Sequence, residues 1–208
     1  DGLVVLNVAS TGQPVSFDPA DANLVVNEYT EYDCYDTLLD FNQDGTDVVP
    51  ALAESWEQVD DLTYTYKIRE GVKFSDGSDL TMDDVLYSLN RVREDAYGMS
   101  YLFEHVDSFE VDEATRTLTV HLTQPDSTWK YVPATTPCQI LKKSVVEAEG
   151  DAYGTNEGSV VGTGPYKFVS WAADSQIVLE KNEYWWGGAD NLAIDKINFY
   201  VMKDASTI

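Results

Sequence analysis

Basic residues are scarce in this chain. It has 13 lysines and arginines against 37 aspartates and glutamates, which gives a net charge of −24 over 208 residues. Nucleic-acid binding needs clustered Lys and Arg to neutralise phosphates, so we expect no nucleic-acid partner. The acidity indicates a well solvated surface. It also fits an exported protein in a salty medium, and composition does not decide between the two.

Cysteine and histidine are also rare. The two cysteines, Cys34 and Cys138, are too few and too far apart for a metal site, and neither His105 nor His121 has a second ligand at a metal-binding spacing. We therefore predict no metal and no cofactor. An export compartment would permit a Cys34–Cys138 disulfide, and the sequence leaves that pairing open.

One segment has half of a calcium-binding motif. Asp40–Gly45 matches the first half of an EF-hand loop. Ala51 stands where that loop needs a bidentate Glu, and Pro50 blocks the helix that should follow. We interpret the segment as a polar turn.

Long apolar runs are absent. No stretch reaches the roughly 20 apolar residues that a membrane-spanning helix needs. The chain opens with Asp1, Gly2 and Leu3 and has no signal peptide, which is typical of a mature or trimmed start. With 43% hydrophobic and 12% aromatic residues, the composition is that of a globular protein with a sizeable core, in one domain or two small ones.

Apolar and polar residues alternate strongly in the first half of the chain. In Leu62–Ile68, every second residue is apolar, and Ser55–Val59 precedes it across the Asp60-Asp61 pair. This period of two predicts a β-hairpin with one buried face. Asp76-Gly77 then predicts a turn.

A helix is predicted after this turn. Thr81 is a suitable N-cap, and Asp84 at the third helical position completes a capping box. The apolar residues that follow fall on one face at helical spacing. They are Met82, Val85, Leu86, Leu89 and Val92.

Further elements follow from the same patterns. We predict a buried strand at Leu3–Val8 and a helix from Asn27 to about Leu39, with Tyr32, Tyr35, Leu38 and Leu39 facing the core. We also predict a hairpin of 109–111 with 118–122, a strand at Thr135–Leu141 and a helix at Lys142–Gly150. The last predicted elements are a hairpin of Tyr166–Trp171 with Gln176–Lys181 and a strand at Ile194–Met202. Gly162 and Gly164 lack the spacing of a nucleotide loop and predict a sharp backbone crossing.

The order of these pieces resembles the extracellular solute-binding proteins of the peptide/nickel type, family 5, which deliver ligands to ABC importers. The resemblance covers essentially the whole chain. It is carried by Pro50, Leu52–Trp56, Thr63–Lys67, Gly71–Phe74, Asp76-Gly77, Leu80-Thr81, Asp84-Val85, Gly162–Phe168, Trp171, Ile177–Asn182, Tyr184-Trp185 and Gly187-Gly188. One departure is that Leu62 follows the acidic pair directly, where family members usually have Gly.

The resemblance implies an α/β fold with mixed sheets, the periplasmic-binding-protein-like class II fold. Because family members are considerably longer, it implies that this chain is the N-terminal lobe and that the C-terminal lobe is absent. Residues 1–48 plus 162–208 would form one subdomain, and residues 49–161 an inserted second one. The missing return of the C-terminal segment would leave an exposed sheet edge or an apolar patch.

Ligand capture in this family works by closure of two lobes about a hinge. The resemblance therefore implies an oligopeptide or similar small solute as ligand and an ABC permease as partner. It implies an extracytoplasmic location, with membrane contact only through a lipid anchor or the permease. Nickel chelates and sugars stay open as ligands. The resemblance places seven residues at the cleft, which are Thr11, Gln13, Asn23, Glu28, Tyr101, Thr136 and Cys138.

Two other classes of function are alternatives to a transport binding protein. A chemosensory or interaction module of the same fold stays open. An enzyme is not expected, because no nucleophile elbow, His–carboxylate constellation, metal triad or phosphate loop stands out. The plentiful carboxylates leave a glycosidase-like pair open by count alone. For Tyr101 and Cys138, plain packing roles are alternatives to ligand contact, and for Cys138 so is a disulfide.

Overall fold

The computed structural model describes residues 2–20, 25–94 and 99–202, and the side chains of residues 25–29 are outside the description. Helices and strands alternate in a mixed α/β arrangement. The helices are α1 (Val25–Cys34), α2 (Met82–Glu94) and α3 (Lys143–Glu149). The strands are β1 (Val5–Ser10), β2 (Leu39–Phe41), β3 (Val48–Pro50), β4 (Ala53–Asp60), β5 (Thr63–Ile68), β6 (Val106–Asp112), β7 (Thr117–Leu122), β8 (Tyr166–Ala172), β9 (Gln176–Lys181) and β10 (Lys196–Val201).

The strands form two four-stranded sheets and one short ribbon. We call the sheet with order β4-β5-β7-β6 the middle sheet, and all of its pairs are antiparallel. We call the sheet with order β1-β10-β9-β8 the split sheet, because β1 comes from the other end of the sequence. In the split sheet, β1 runs parallel to β10, with Val5 beside Lys196 and Ser10 beside Val201. The ribbon consists of β2 and β3.

The middle sheet follows from the alternation in its strands. Tyr64 and Tyr66 on β5 pair with Val120 and Leu118 on β7, and all four side chains are buried. Cross-strand neighbours of this kind are the unit of sheet stability. Helix α2 contributes its apolar stripe to the same core. Both hairpins and the amphipathic helix predicted for this region are confirmed.

The predicted capping box of α2 is present. The amide of Thr81 donates to Asp84 Oδ2 at 3.0 Å, and the amide of Asp84 donates to Thr81 Oγ1 at 3.1 Å. The second carboxylate oxygen of Asp84 accepts the amide of Lys143 at 3.0 Å. One side chain therefore begins α2 and also positions the start of α3.

The split sheet has its own core, which includes residues from several distant segments. Phe17 packs edge-on against Phe168 and Trp171, with ring centroids 5.2 and 5.6 Å apart. Leu141 and Tyr153 belong to the same core. The hairpin of β8 with β9 and the strand β10 are confirmed, as is the helix that ends at Gly150, which has a positive φ of 53°.

The predicted glycine crossing is confirmed. The amide of Gly164 donates to the carbonyl of Cys34 at 3.0 Å. A Cβ atom at position 164 would lie 2.5 Å from the carbonyl carbon of Cys34, so the two backbone segments can approach this closely only with glycine.

The predicted burial of the first strand is wrong. Val5 and Leu6 are about two-fifths exposed. Strand β1 lies at the edge of the split sheet with β10 as its neighbour. This apolar segment therefore forms a strand although several of its side chains stay exposed.

The predicted end of the first helix is wrong, and so is the predicted strand at Thr135–Leu141. Helix α1 ends at Cys34, five residues before the predicted Leu39, because the crossing of Gly164 takes the Cys34 carbonyl. Thr136–Cys138 is a 3-10 turn and not a strand, because Pro137 has no amide hydrogen to donate to a neighbouring strand.

The predicted burial of the residues at the end of the first helix is confirmed except at one position. Tyr32 is exposed and not in the core, while Tyr35, Leu38 and Leu39 are buried as predicted.

The structure shows the state of the two cysteines and the conformation of the Asp40–Gly45 segment. Cys34 and Cys138 are both free and buried, so the structure contains no disulfide between them. Asp40–Gly45 covers the end of β2 and the first part of the turn to β3, where Asn42 Oδ1 accepts the amides of Thr46 and Asp47. Within the described ranges, no three metal-ligating side chains come together, and no helix is long and apolar enough to cross a membrane.

Candidate functional site

The carboxyl ends of two parallel strands meet at one edge of the split sheet. Strand β1 ends at Ser10 and β10 ends at Val201, and these two residues are register partners. In open α/β sheets, ligands bind in the crevice outside the carboxyl ends of such strands. A binding site is therefore expected at this edge.

A small apolar cavity lies at this edge. Its volume is about 90 Å³, and its lining is mostly hydrophobic with a few polar groups at its rim. The lining residues are Val8, Ala9, Ser10, Gly12, Gln13, Pro14, Thr30, Ile177, Phe199, Tyr200 and Val201. An apolar cavity of about 150 Å³ accommodates benzene. This cavity is smaller, so it suits one aliphatic side chain of a larger ligand.

The loop after β1 forms one wall of the cavity. Gln13 lines the cavity and reaches across to the β8–β9 turn, where its Oε1 accepts the amide of Asp174 at 2.6 Å. Asp174 has a positive φ of 59°, which tightens this turn. Thr11, the other residue predicted in this loop, is exposed beside Gly12. Of the predicted site residues that the structure describes, Gln13 lines the cavity, and Thr11 lies next to the lining residues Ser10 and Gly12 in sequence.

A second polar contact joins α1 to the 3-10 turn Thr136–Cys138. Thr136 is buried, and its hydroxyl donates to the hydroxyl of Tyr32 at 3.0 Å. Tyr32 is exposed, so its ring faces solvent above this contact. The sequence analysis assigned Tyr32 to the core and missed it as a site residue. Its spacing of one helical turn from the predicted residue Glu28 is the signal that could have placed the two on one face.

The other predicted site residues lie apart from the cavity lining. Tyr101 is 64% exposed in a 3-10 turn, Ser100–Phe103. Cys138 is completely buried in the core of the middle sheet, and burial raises the pKa of its thiol to about 12. This burial favours the packing alternative for Cys138, and its contact with a ligand stays a prediction. Asn23 and the side chain of Glu28 lie outside the described residues.

Two carboxyl groups near the end of α1 have raised pKa values. Burial raises the pKa of Asp33 to about 6. Burial also raises the pKa of Asp36 to about 7, although two hydrogen bonds to the carboxylate oppose this shift. These bonds come from Trp186 Nε1 at 2.8 Å and Thr163 Oγ1 at 2.9 Å. Asp36 is therefore partly protonated near neutral pH.

The lining of the cavity is mostly apolar, with a few hydrogen-bonding side chains. An apolar interior with hydrogen-bonding groups at the rim is the usual composition of a small-molecule site. Elsewhere, His105 has Asp126 Oδ2 3.2 Å from Nδ1 and Gln124 Nε2 2.7 Å from Nε2. Both of its ring nitrogens are engaged with these neighbours, which is a surface contact and not the arrangement of a catalytic base with a nucleophile.

The chain matches one family of known proteins. The family model of the bacterial extracellular solute-binding proteins, family 5, matches residues 47–208. The chain belongs to this family. The capping box, Gly162, Gly164 and the hairpins β4–β5, β6–β7 and β8–β9 all lie inside the matched range.

Individual members of family 5 match over nearly the whole chain. The dipeptide-binding protein DppE of Bacillus subtilis is 26% identical, covering 99% of this chain and 40% of its own length. The dipeptide-binding protein of Escherichia coli is 31% identical, covering 95% of this chain and 41% of its own length. The periplasmic binding protein DppA of Helicobacter pylori, solved in complex with the peptide STSA, is 28% identical with a TM-score of 0.83, covering 98% of this chain and 43% of that chain.

The H. pylori structure shares the periplasmic-binding-protein-like fold with this chain. The chain spans about 40% of the length of the curated relatives that it matches. The relatives' names describe binding of solutes, and the family is one of binding proteins.

Proposed function

We propose that the protein that contains this chain is the solute-binding component of an ABC importer, with oligopeptides as its ligands. The observation that carries this proposal is the apolar cavity at the carboxyl edge of β1 and β10 with Gln13 at its rim. The peptide bound to the H. pylori relative supports the choice of ligand class. A peptide side chain would enter the cavity, and backbone groups of the loop after β1 would bind the peptide main chain.

The proposed ligand contacts extend along α1. Gln13 lines the cavity, and Thr136 holds Tyr32 at the surface of α1. We propose that Thr11, in the same loop as Gln13, also contacts the ligand. We propose that Asn23, Glu28 and Tyr101 add to this surface. Residues 1–48 plus 162–208 would be one subdomain and residues 49–161 the inserted one, in keeping with the separate split and middle sheets.

Ligand capture would need a second lobe. In two-lobed binding proteins, closure about a hinge buries the ligand and replaces its water with protein groups. We therefore expect the 208 residues alone to bind a peptide at least tenfold more weakly than the full-length protein, a loss of about 1.4 kcal/mol or more. Isothermal titration of both forms with the same peptide measures this difference. Equal affinities would contradict the two-lobed mechanism.

The partners and location follow from the proposed role. The loaded protein would dock on a membrane permease on the outer side of the cell membrane, held near it by a lipid anchor. It would carry out no chemistry on its ligand. Hydrolysis of the bound peptide, detected as fragments after incubation, would contradict this part of the proposal.

The test of the ligand class is mass spectrometry of the full-length protein, purified gently from its host and then denatured. We expect a set of short peptides to be released. An unrelated acidic protein from the same host, purified in parallel, is the control for carry-over. A single metal chelate or sugar would overturn the peptide proposal while keeping the importer role. A protein free of small molecules that also binds no added peptide would overturn both.

A further inference from the structure

The most deeply buried ion pair in the described part of the chain joins α2 to the loop after β1. Arg91 Nη1 donates to Asp18 Oδ1 at 2.8 Å, and Nη2 donates to Oδ2 at 2.6 Å. The side chains are 10% and 6% exposed. Two parallel bonds of this kind fix the position and also the orientation of a carboxylate. Arg91 therefore holds Asp18 in one place.

Hydrogen bonds and close packing also fix the backbone around Asp18. The amide of Phe17 donates to the carbonyl of Gly154 at 2.7 Å, and the amide of Asp18 donates to Ser16 Oγ at 2.9 Å. A Cβ atom at position 154, where φ is 76°, would lie 2.6 Å from the amide nitrogen of Asp18. The backbone at Asp18 is thus packed against a neighbouring loop that only glycine allows so close.

A pair of tyrosines supports the arginine. The guanidinium of Arg91 lies 6.0 Å from the ring centroid of Tyr153. The hydroxyl of Tyr153 is 2.8 Å from the hydroxyl of Tyr35, and both rings are buried. Burial raises the pKa of both hydroxyls, so they stay neutral and can share a hydrogen bond. Through Tyr153 and Tyr35, this network connects Arg91 on α2 to the core of the split sheet.

The loop between β1 and Asp18 is therefore anchored at two points. Gln13 binds the β8–β9 turn at one point, and Asp18 binds Arg91 at the other. Of the lining residues in this loop, Gln13 is the first anchor itself, and Gly12 and Pro14 lie on either side of it, a few residues after the end of β1. A loop that is fixed in advance loses less conformational freedom when a ligand binds.

We propose that Arg91 is a positioning residue, which holds the loop of residues 11–18 in the conformation that forms the cavity wall. This role rests on the proposed function, in which the cavity receives part of a ligand. Arg91 comes from α2, whose apolar face belongs to the core of the middle sheet. The middle sheet would thereby set the shape of a binding site on the split sheet. A buried ion pair is weak grounds for a stabilising role, which leaves positioning as the better explanation.

The test uses Arg91→Met in the full-length protein with two controls. Arg93→Met removes an arginine from the same helix two residues further on. Leu118→Ala removes buried side-chain volume from the middle sheet and lowers global stability without touching the loop. Arg91→Lys, which keeps the charge and loses the double hydrogen bond, serves if Arg91→Met does not fold.

The first readout needs no ligand. Amide hydrogen exchange is followed at Phe17 and Asp18, whose amides are hydrogen-bonded in the anchored loop. We expect Arg91→Met to speed exchange at these two amides about tenfold more than in the middle sheet. Arg93→Met should change neither, and Leu118→Ala should act mainly in the middle sheet. Exchange at Phe17 and Asp18 that rises no more than in Leu118→Ala would overturn the proposal.

The second readout is the affinity for trialanine by isothermal titration. We expect Arg91→Met to weaken binding about tenfold and Leu118→Ala to leave it within about twofold. Equal affinities of Arg91→Met and the unsubstituted protein would overturn the positioning role. If the unsubstituted protein binds neither trialanine nor any other peptide, the proposed function fails. The exchange readout then still decides whether Arg91 fixes the loop.

Discussion

The middle sheet and the split sheet are built from different kinds of contact. The strands of the middle sheet all lie between residues 53 and 122, and two of its three pairings are hairpins between consecutive strands. The split sheet pairs β1 with β10, so that Asn7 and Asn198 are hydrogen-bonded across 191 residues of sequence. The middle sheet thus depends on nearby sequence, and the split sheet on distant segments meeting.

The two sheets also differ in burial and in the role that we propose for each. Both central strands of the middle sheet bury one face completely, under α2 and a group of aromatic rings. The split sheet exposes Val5 and Leu6 on β1 and has the cavity at its carboxyl edge. The middle sheet is therefore a scaffold, and the proposed binding site lies where distant parts of the chain meet. The predictions below test this division, from the largest expected effect to the smallest.

Trp129 should be among the most costly residues to truncate. It is buried and packs against Phe103 and Phe109, with ring centroids 5.8 and 6.4 Å away. We expect Trp129→Ala to lower the free energy of unfolding by about 3–5 kcal/mol, measured by urea denaturation. Tyr101→Ala, at an exposed side chain, should cost less than about 0.5 kcal/mol. A loss below about 1 kcal/mol for Trp129→Ala would mean that the middle sheet is not the scaffold.

Asp36 should make stability depend on pH. Its pKa is about 7 in the folded protein against an ordinary value of 3.8, because it is buried. The folded state therefore keeps a proton that the unfolded state loses, and stability falls as pH rises from about 4 to about 7. Asp36→Asn should remove on the order of 3 kcal/mol of this decrease. Urea denaturation at pH 4.5 and pH 8 measures it.

The matched control for Asp36 is Asp107→Asn, at an exposed position on β6. This substitution should change the free energy of unfolding by less than about 0.5 kcal/mol at either pH. If Asp36→Asn leaves the pH dependence of the original protein intact, Asp36 is not the buried acid that we describe.

Gly164 should tolerate no side chain at the crossing. A Cβ atom there would lie 2.5 Å from the Cys34 carbonyl carbon, so α1 and the crossing segment would have to separate. We expect Gly164→Ala to cost about 1–3 kcal/mol in thermal or urea unfolding. Gly2→Ala is the control, because nothing lies within 4 Å of its added atom. Equal stability of the two variants would contradict the tight crossing.

Thr81 should have the smallest of these effects. Its hydroxyl accepts the amide of Asp84 and caps α2. Loss of such a cap in Thr81→Ala should cost about 1 kcal/mol, and Thr81→Ser should retain most of the stability. Urea denaturation compares the two. If Thr81→Ser lost as much stability as Thr81→Ala, the methyl group of Thr81, and not its capping hydroxyl, would account for the effect.

The middle sheet could be predicted from sequence because its signals are local. Alternation in Leu62–Ile68 and the Thr81–Asp84 capping box each need only a few adjacent residues. The exposure of β1 could not be predicted, since an apolar run looks the same at an edge and in the centre of a sheet. The same limit applies to Thr136–Cys138, where a short apolar run with Pro137 became a 3-10 turn.

The candidate site could be predicted only in part. The loop after β1 was found by resemblance, and Gln13 does line the cavity. Its partner Asp174 is 161 residues away, and Arg91 is 73 residues from Asp18, so no local pattern connects them. Tyr32 was assigned to the core because helical spacing alone does not distinguish a buried ring from an exposed one at the border of the apolar face.

The most direct test of this account is a hydrogen-exchange map of the full-length protein with and without a bound peptide. The amide of Gly12, which donates to Ser10 Oγ, and the amide of Val201, which donates to the Ser175 carbonyl, lie at the cavity. We predict that the peptide slows exchange at both amides and leaves β5 and β7 unchanged. Protection confined to the middle sheet, with none at Gly12 or Val201, would contradict the placement of the binding site on the split sheet.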